Sequence, residues 1–184
     1  DTILNKGTLK LGAGGTISEK RLTIKNDATF DMNNQDQSLS ALSSDSDAST
    51  VDLGDAVLPA PGTPSTLTIS EGAGEDENFT GVISGTGSVV KEGDGKQTLG
   101  TANTYTGTTT VDGGTLELGF ANVANTVTIT NDATLRLNQA TGSTATLNGL
   151  QGAGDFTKTG EGTAILQTDG ATPNAYNKLT VEQG

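Results

Sequence analysis

An internal repeat is the feature that most constrains the fold of this chain. Residues 7–12 read Gly-Thr-Leu-Lys-Leu-Gly, and residues 114–119 read Gly-Thr-Leu-Glu-Leu-Gly. The similarity extends over residues 7–33 and 114–138, and paired positions keep their apolar character, as Phe30 and Leu135 do. A motif that recurs in fixed order is typical of repeat architectures, in which each unit buries its apolar face only against its neighbours.

A second pair of repeats overlaps the first. Residues 85–114 match residues 152–184, beginning with Gly-Thr-Gly-Ser-Val in the first copy and Gly-Ala-Gly-Asp-Phe in the second. The first half carries additional residues, 43–77, which we interpret as an insertion of protruding loops. We expect the 184 residues to form a single segment of a longer array.

The local pattern predicts strands throughout. Apolar residues alternate with polar ones in short runs such as Leu22-x-Ile24, Leu116-x-Leu118 and Leu179-x-Val181, separated by Gly-Gly and Asn-Asp turn signals. Strands with only two inward side chains bury little surface alone, whereas stacked coils share a continuous narrow core. We therefore predict an all-β chain folded as a right-handed parallel β-helix, a β-solenoid. A β-sandwich is the alternative, but it needs more large inward side chains per strand.

Composition excludes several kinds of chemistry. The chain has no cysteine and no histidine, so it lacks thiolate nucleophiles and the commonest metal ligands. Its net charge is −12, with 10 lysines and arginines against 22 acidic residues, which argues against binding to nucleic acid or to anionic membranes.

One stretch resembles a known family. Residues 81–95 and 99–116, which include Gly85-Thr86-Gly87, Lys91 and Asn103-Thr104-Tyr105-Thr106-Gly107, resemble the passenger-associated transport repeat of autotransporters. The second copy keeps Lys158, Asn174 and Tyr176, but Lys178 replaces the glycine after the tyrosine, and Lys96-Gln97-Thr98-Leu99 has one aliphatic residue where the family has two.

The resemblance implies a function class. It implies a passenger β-helix at the cell surface or secreted from a Gram-negative bacterium, exported by its own C-terminal outer-membrane β-barrel. We expect a structural stalk and an adhesion or self-association module, with roles in biofilm formation and virulence. Its partners would be a host surface protein or glycan, or copies on other cells. The alternative is the scaffold of a polysaccharide-active or other enzymatic passenger.

Local candidates for catalysis and metal binding are weak. Asp45-Ser46-Asp47 and Glu75-Asp76-Glu77 are the densest carboxylate clusters, yet neither belongs to a complete calcium-binding loop. Paired carboxylates can hydrolyse glycosides, but the chain has only two arginines to accompany them. We predict no catalytic residue, no metal site and no cofactor.

Residues shared by both copies of the repeat suggest structural roles. Lys91 and Lys158 occupy the same repeat position, and we interpret both as solvated lysines beside a turn. Asn103 and Asn174 are interpreted as turn caps, with an internal amide ladder as the alternative. Tyr105 and Tyr176 are equivalent as well, which favours a structural role for each.

A proline-rich loop is the best local candidate for recognition. Residues 59–64 contain three of the four prolines and cannot form a ladder strand. Function often resides on loops carried by rigid scaffolds. The predicted recognition loop consists of Leu58, Pro59, Ala60, Pro61, Gly62, Thr63, Pro64 and Ser65.

The predicted outward faces offer a second kind of site. Threonines alternate with apolar residues on several strands; these threonines are Thr23, Thr108, Thr110, Thr128 and Thr130. Rows of short hydroxyl groups on a flat wall can pair with a similar wall on another protein, each hydrogen bond contributing about 0.5–1.5 kcal/mol. Many copies on one cell would add these weak contacts together. The alternative is that threonine is simply a good surface residue for a strand.

Overall fold

The computed structural model describes residues 1–17, 20–55, 63–119, 122–129, 132–168, 170 and 173–183. Within these ranges every regular element is a β-strand, and the strands are numbered β1 to β19 in chain order. Among the same residues, no helix is long and apolar enough to cross a bilayer.

The strands form three parallel sheets. In order, sheet 1 contains β1 (Thr2–Leu4), β3 (Lys20–Ile24), β5 (Gln37–Ser44), β7 (Thr66–Ser70), β10 (Ser88–Glu92), β12 (Thr109–Val111), β14 (Asn122–Ile129), β16 (Thr144–Gly152) and β18 (Thr163–Gln167). Sheet 2 contains β8 (Asp76–Phe79), β11 (Lys96–Leu99), β13 (Thr115–Leu118), β15 (Thr134–Asn138), β17 (Asp155–Thr159) and β19 (Lys178–Val181). Sheet 3 contains β2 (Thr8–Lys10), β4 (Thr29–Asp31), β6 (Thr50–Asp52) and β9 (Val82–Ser84).

The chain winds from one sheet to another and returns one layer further along. Leu22 on β3 pairs with Leu42 on β5, and Leu116 on β13 pairs with Leu135 on β15. Most coils therefore take about 20 residues, the one between β5 and β7 takes about 30, and every strand hydrogen-bonds to its equivalents in the neighbouring coils. The predicted parallel β-solenoid is confirmed.

The core is one continuous column of inward side chains. Because side chains alternate across a strand, each short strand supplies only a few inward positions, and three-residue strands such as β4 and β6 supply one. Leu22, Ile24, Phe30, Leu116 and Leu135 are all fully buried. In-register stacking places Leu22 on Leu42, Phe30 on Val51 and Leu135 on Phe156 of the next coil, which gives a narrow core without large aromatic clusters.

Residues 43–77 contain strands of the solenoid. Strand β6 pairs with β4 and β9, and strand β7 pairs with β5 and β10, all in parallel register. This corrects the interpretation of the whole segment as protruding loops. Its alternation Leu67-x-Ile69 is the same inward pattern as elsewhere, and both residues are fully buried. Within it, residues 56–62 lie outside the described ranges.

The sequence repeat and the structural coil have different lengths. Lys91 lies on β10 in sheet 1, whereas its repeat equivalent, Lys158, lies on β17 in sheet 2. The two lysines are 67 residues apart, which is not a whole number of coils of about 20 residues. One motif can therefore occupy either sheet, because both present the same strand–turn–strand geometry to the core.

Candidate functional site

The predicted recognition loop is described only at its C-terminal end. Leu58, Pro59, Ala60, Pro61 and Gly62 lie outside the described residues. Thr63 and Pro64 are exposed. Ser65 is buried, and its Oγ donates a hydrogen bond to the Leu53 carbonyl at 2.6 Å. Ser65 therefore anchors the end of the loop and presents no group to solvent.

The carboxylate clusters serve in hydrogen bonds and ion pairs between coils. Asp45 Oδ1 accepts from the Asn26 N–H at 3.0 Å, and Ser46 Oγ donates to Asp27. These residues line a polar depression together with Lys6. The carboxylates of Asp27 and Asp45 connect turns of adjacent coils. Their role is therefore structural, at a corner of the solenoid, rather than that of an acid–base pair.

The carboxylates of the second cluster form ion pairs with cations of other coils. Arg21 forms ion pairs with Glu75 and Glu77, and Lys96 Nζ lies 3.4 Å from Asp76 Oδ2. Across the residues that the structure describes, no group of three or more acidic side chains is arranged to hold a metal ion.

Lys91 is fully buried, so its interpretation as a solvated lysine is wrong. Its Nζ lies 3.1 Å from Glu71 Oε2, and both side chains have no exposed surface. The ammonium also donates to the Glu92 and Gly93 carbonyls and, at 3.4 Å, to the Gly113 carbonyl. Glu71 belongs to the preceding coil and Gly113 to the following one, so this lysine joins three coils.

Burial raises the pKa of the Glu71 carboxyl. The loss of water disfavours the carboxylate, and the nearby Lys91 ammonium opposes that shift without cancelling it. The lysine side chain is thus the charge partner that makes a buried carboxyl group tolerable at this corner.

The second copy of the motif repeats this arrangement without the acid. Lys158 is buried, and its Nζ donates to the Gly160 carbonyl and, at 2.8 Å, to the Gln183 carbonyl. Gly93 lies against the Glu71 carbonyl and Gly160 against the Gln139 carbonyl, so Gln139 is the equivalent of Glu71. Gln139 is also buried. The solvated interpretation is therefore wrong for Lys158 as well.

The repeated asparagines connect coils rather than forming an internal ladder. Asn103 Oδ1 accepts from the Ile83 N–H at 2.8 Å, and Asn174 Oδ1 accepts from the Leu150 N–H at 2.9 Å. In each case the partner lies on the preceding coil, so the amide replaces a missing backbone acceptor. Tyr105 is buried, and its hydroxyl lies 2.6 Å from Thr109 Oγ1, whereas Tyr176 is 36% exposed.

Sheet 1 presents an outer wall of short hydroxyl groups. Thr68 on β7, Thr110 on β12 and Thr128 on β14 lie in one column, which Val90 on β10 interrupts. Some hydroxyls already bond within the wall, as Thr23 does with Ser43 and Thr108 with Ser88. Thr130 lies outside the described residues.

Sheet 2 presents a different outer surface, which we call the charged wall. Its first column, read from β8 to β19, consists of Asp76, Lys96, Thr115, Thr134, Asp155 and Lys178. Its second column consists of Asn78, Thr98, Glu117, Arg136, Thr157 and Thr180.

Opposite charges are neighbours on this wall. Arg136 Nε lies 3.4 Å from Glu117 Oε2, and Lys96 pairs with Asp76 as described above. The wall was not predicted from the sequence, because its columns join residues of different strands. The available signal was the recurrence of charged residues about every 20 positions, which is the length of one coil.

Comparisons with known proteins place the chain among autotransporter passengers. The family described as passenger-associated-transport-repeat matches residues 89–118. Over 120 residues, 63% of its length, the chain is 37% identical to the adhesin BmaC autotransporter of Brucella suis biovar 1 (strain 1330). The chain spans 3% of the length of that relative. No solved structure matches the chain at a significant level.

Proposed function

Since the chain is a segment of an autotransporter passenger, we propose that it acts as a rigid stalk and as an adhesion or self-association module. Such a passenger is at the cell surface or secreted in Gram-negative bacteria. In the full-length protein, a C-terminal β-barrel of the outer membrane would export and anchor it.

The continuous parallel ladder of sheet 1 supports the stalk. Nine strands at a spacing of 4.7–4.9 Å extend over roughly 38 Å, and each strand inside the stack is hydrogen-bonded to both neighbouring coils. Such a stack transmits force along its length while its outer walls remain available for contact. This ladder is the single observation that carries the proposal.

The walls themselves support adhesion. The wall of sheet 1 offers hydroxyl groups on successive coils, and the charged wall offers paired charges; each contact is individually weak. Display of many copies on one cell multiplies such contacts into useful avidity. In agreement, the similar Brucella protein is named an adhesin. Among the residues that the structure describes, no observation favours an enzymatic site over this function.

Display of the chain on beads tests the proposal. Beads that carry the purified chain are expected to cluster with one another or to bind a layer of host cells, whereas beads that carry an unrelated acidic β-protein do neither. A chain that does neither at high surface density contradicts the adhesive part of the proposal and leaves only the stalk.

A further inference from the structure

The charges of the charged wall follow an order that reverses in sign. The first column reads negative, positive, neutral, neutral, negative, positive from β8 to β19. The second column is neutral except for Glu117 on β13 and Arg136 on β15, its two central positions. Reading either column in the opposite direction, from β19 to β8, therefore gives the same order with every charge reversed in sign.

This order makes the wall complementary to itself. A two-fold axis in the plane of contact, parallel to the strands and midway between β13 and β15, turns a second copy so that each column faces itself in reverse. Asp76 then faces Lys178 of the second copy, Lys96 faces Asp155, and Glu117 faces Arg136. Neutral positions face neutral positions, so no like charges meet. An interface related by a two-fold axis requires such self-complementarity.

The wall is also neutral on a strongly acidic chain. Its six charged residues sum to zero, whereas the whole chain carries a net charge of −12. Two copies that approach through most other surfaces bring acidic groups together, which slows association. At the edges of the wall, Arg21 pairs with Glu75 and Glu77, and Arg136 pairs with Glu182, so part of the flanking acidic charge is offset. Electrostatic steering thus favours this face over the rest of the surface.

The size of the wall sets the strength of the contact. Six strands of about four residues cover roughly 24 Å by 13 Å, which gives about 600 Å² of total buried surface for two copies. Stable interfaces usually bury at least about 1,200 Å², so a single pair of copies binds weakly. The contact becomes effective when many copies on one surface meet many on another.

We infer that the charged wall binds a second copy of this chain, stacked in the opposite direction and related by a two-fold axis between β13 and β15. This inference rests on the self-association part of the proposed function. It assigns the contact to sheet 2 rather than to the hydroxyl wall of sheet 1.

Two charge-swapped variants test the inference because they separate the pattern of charge from its amount. D76K/K96D exchanges one neighbouring pair, and D155K/K178D exchanges the pair that should face it. Each variant keeps the net charge of −12 and places opposite charges side by side within its own chain. Exposed ion pairs contribute about 0–1 kcal/mol, so both variants are expected to remain folded, which circular dichroism checks.

The inference predicts which combinations of proteins cluster when beads of two colours, each colour carrying one protein, are mixed. A variant facing itself, or facing the original chain, places like charges opposite each other, so clustering should fall by about tenfold or more. When D76K/K96D faces D155K/K178D, every pair of facing positions carries opposite charges. This mixture should therefore cluster as the original chain does. Clustering of the original chain should weaken at 1 M salt, where the Debye length is about 3 Å.

The possible results separate this inference from the proposed function. Equal clustering of every combination overturns the inference and moves self-association to another surface. One such surface is the hydroxyl wall of sheet 1, whose hydrogen bonds depend less on salt than ion pairs do. If the original beads bind host cells but not one another, the inference fails while adhesion survives.

Discussion

At the scale of single residues, the buried lysine shows how a repeat motif holds coils together. Lys91 contacts groups of the preceding, the same and the following coil. The sequence analysis located the repeat position correctly but not its environment. Its charge-neutralising partner, Glu71, lies 20 positions earlier, and a local pattern does not indicate that these two residues meet.

Replacement of Lys91 by methionine is expected to destabilise the chain strongly. Removing one partner of a buried ion pair leaves an uncompensated charge and costs about 3–5 kcal/mol. Glu71→Gln is the matched control, because the second copy already has Gln139 beside Lys158. We expect the glutamine variant to lose much less stability in denaturant unfolding. An equal loss in both variants would contradict the role of the ion pair.

The raised pKa of Glu71 predicts a pH dependence of stability. A carboxyl that binds its proton more tightly in the folded chain than in the unfolded chain contributes most below its usual pKa of about 4.5. That contribution is lost as the pH rises through the raised pKa of the folded state. The difference in unfolding free energy between the original chain and Glu71→Gln should therefore decline from acidic to neutral pH. A difference that grows over this range would contradict the raised pKa.

At the scale of the strand and the turn, sequence reasoning performed best where side chains alternate. The pattern Leu116-x-Leu118 predicted two inward residues, and both are buried. Reasoning failed for residues 43–77, because an extra segment without a matching repeat was interpreted as loops although it contains the same alternation. Because the sequence repeat is longer than one coil, it also did not indicate which strands become neighbours.

Close stacking of coils predicts that certain turn glycines cannot be replaced. A Cβ on Gly107 would lie 2.2 Å from the Gly87 carbonyl oxygen of the preceding coil. We expect Gly107→Ala to destabilise the chain by about 1–3 kcal/mol, as overpacking does.

Gly12 provides the control for this prediction. A Cβ there meets nothing within 4 Å, and its φ is not in the left-handed region. Gly12→Ala should therefore leave the thermal midpoint unchanged or raise it slightly. Equal effects of the two alanines would show that the coils do not approach as closely as described.

At the scale of the whole molecule, the architecture followed from the sequence while the contact surfaces did not. Short alternating strands and a repeated motif were sufficient to predict stacked parallel coils. The charged wall depends on which residues share a column, and that depends on the register between coils. Register is set by all the turns together, including the shift of 30 positions between Leu39 on β5 and Ile69 on β7.

Distances between spin labels test the stacked parallel coils most directly. The chain has no cysteine, so labels can be attached to cysteines introduced at chosen half-buried threonines of the outer wall. Thr98, Thr157 and Thr180 lie in one column of sheet 2, on β11, β17 and β19. The backbone separation should be about 14 Å between positions 98 and 157 and about 19 Å between positions 98 and 180. An increase of about 5 Å from one pair to the next supports the solenoid, whereas equal or decreasing distances, as in two facing antiparallel layers, would contradict it.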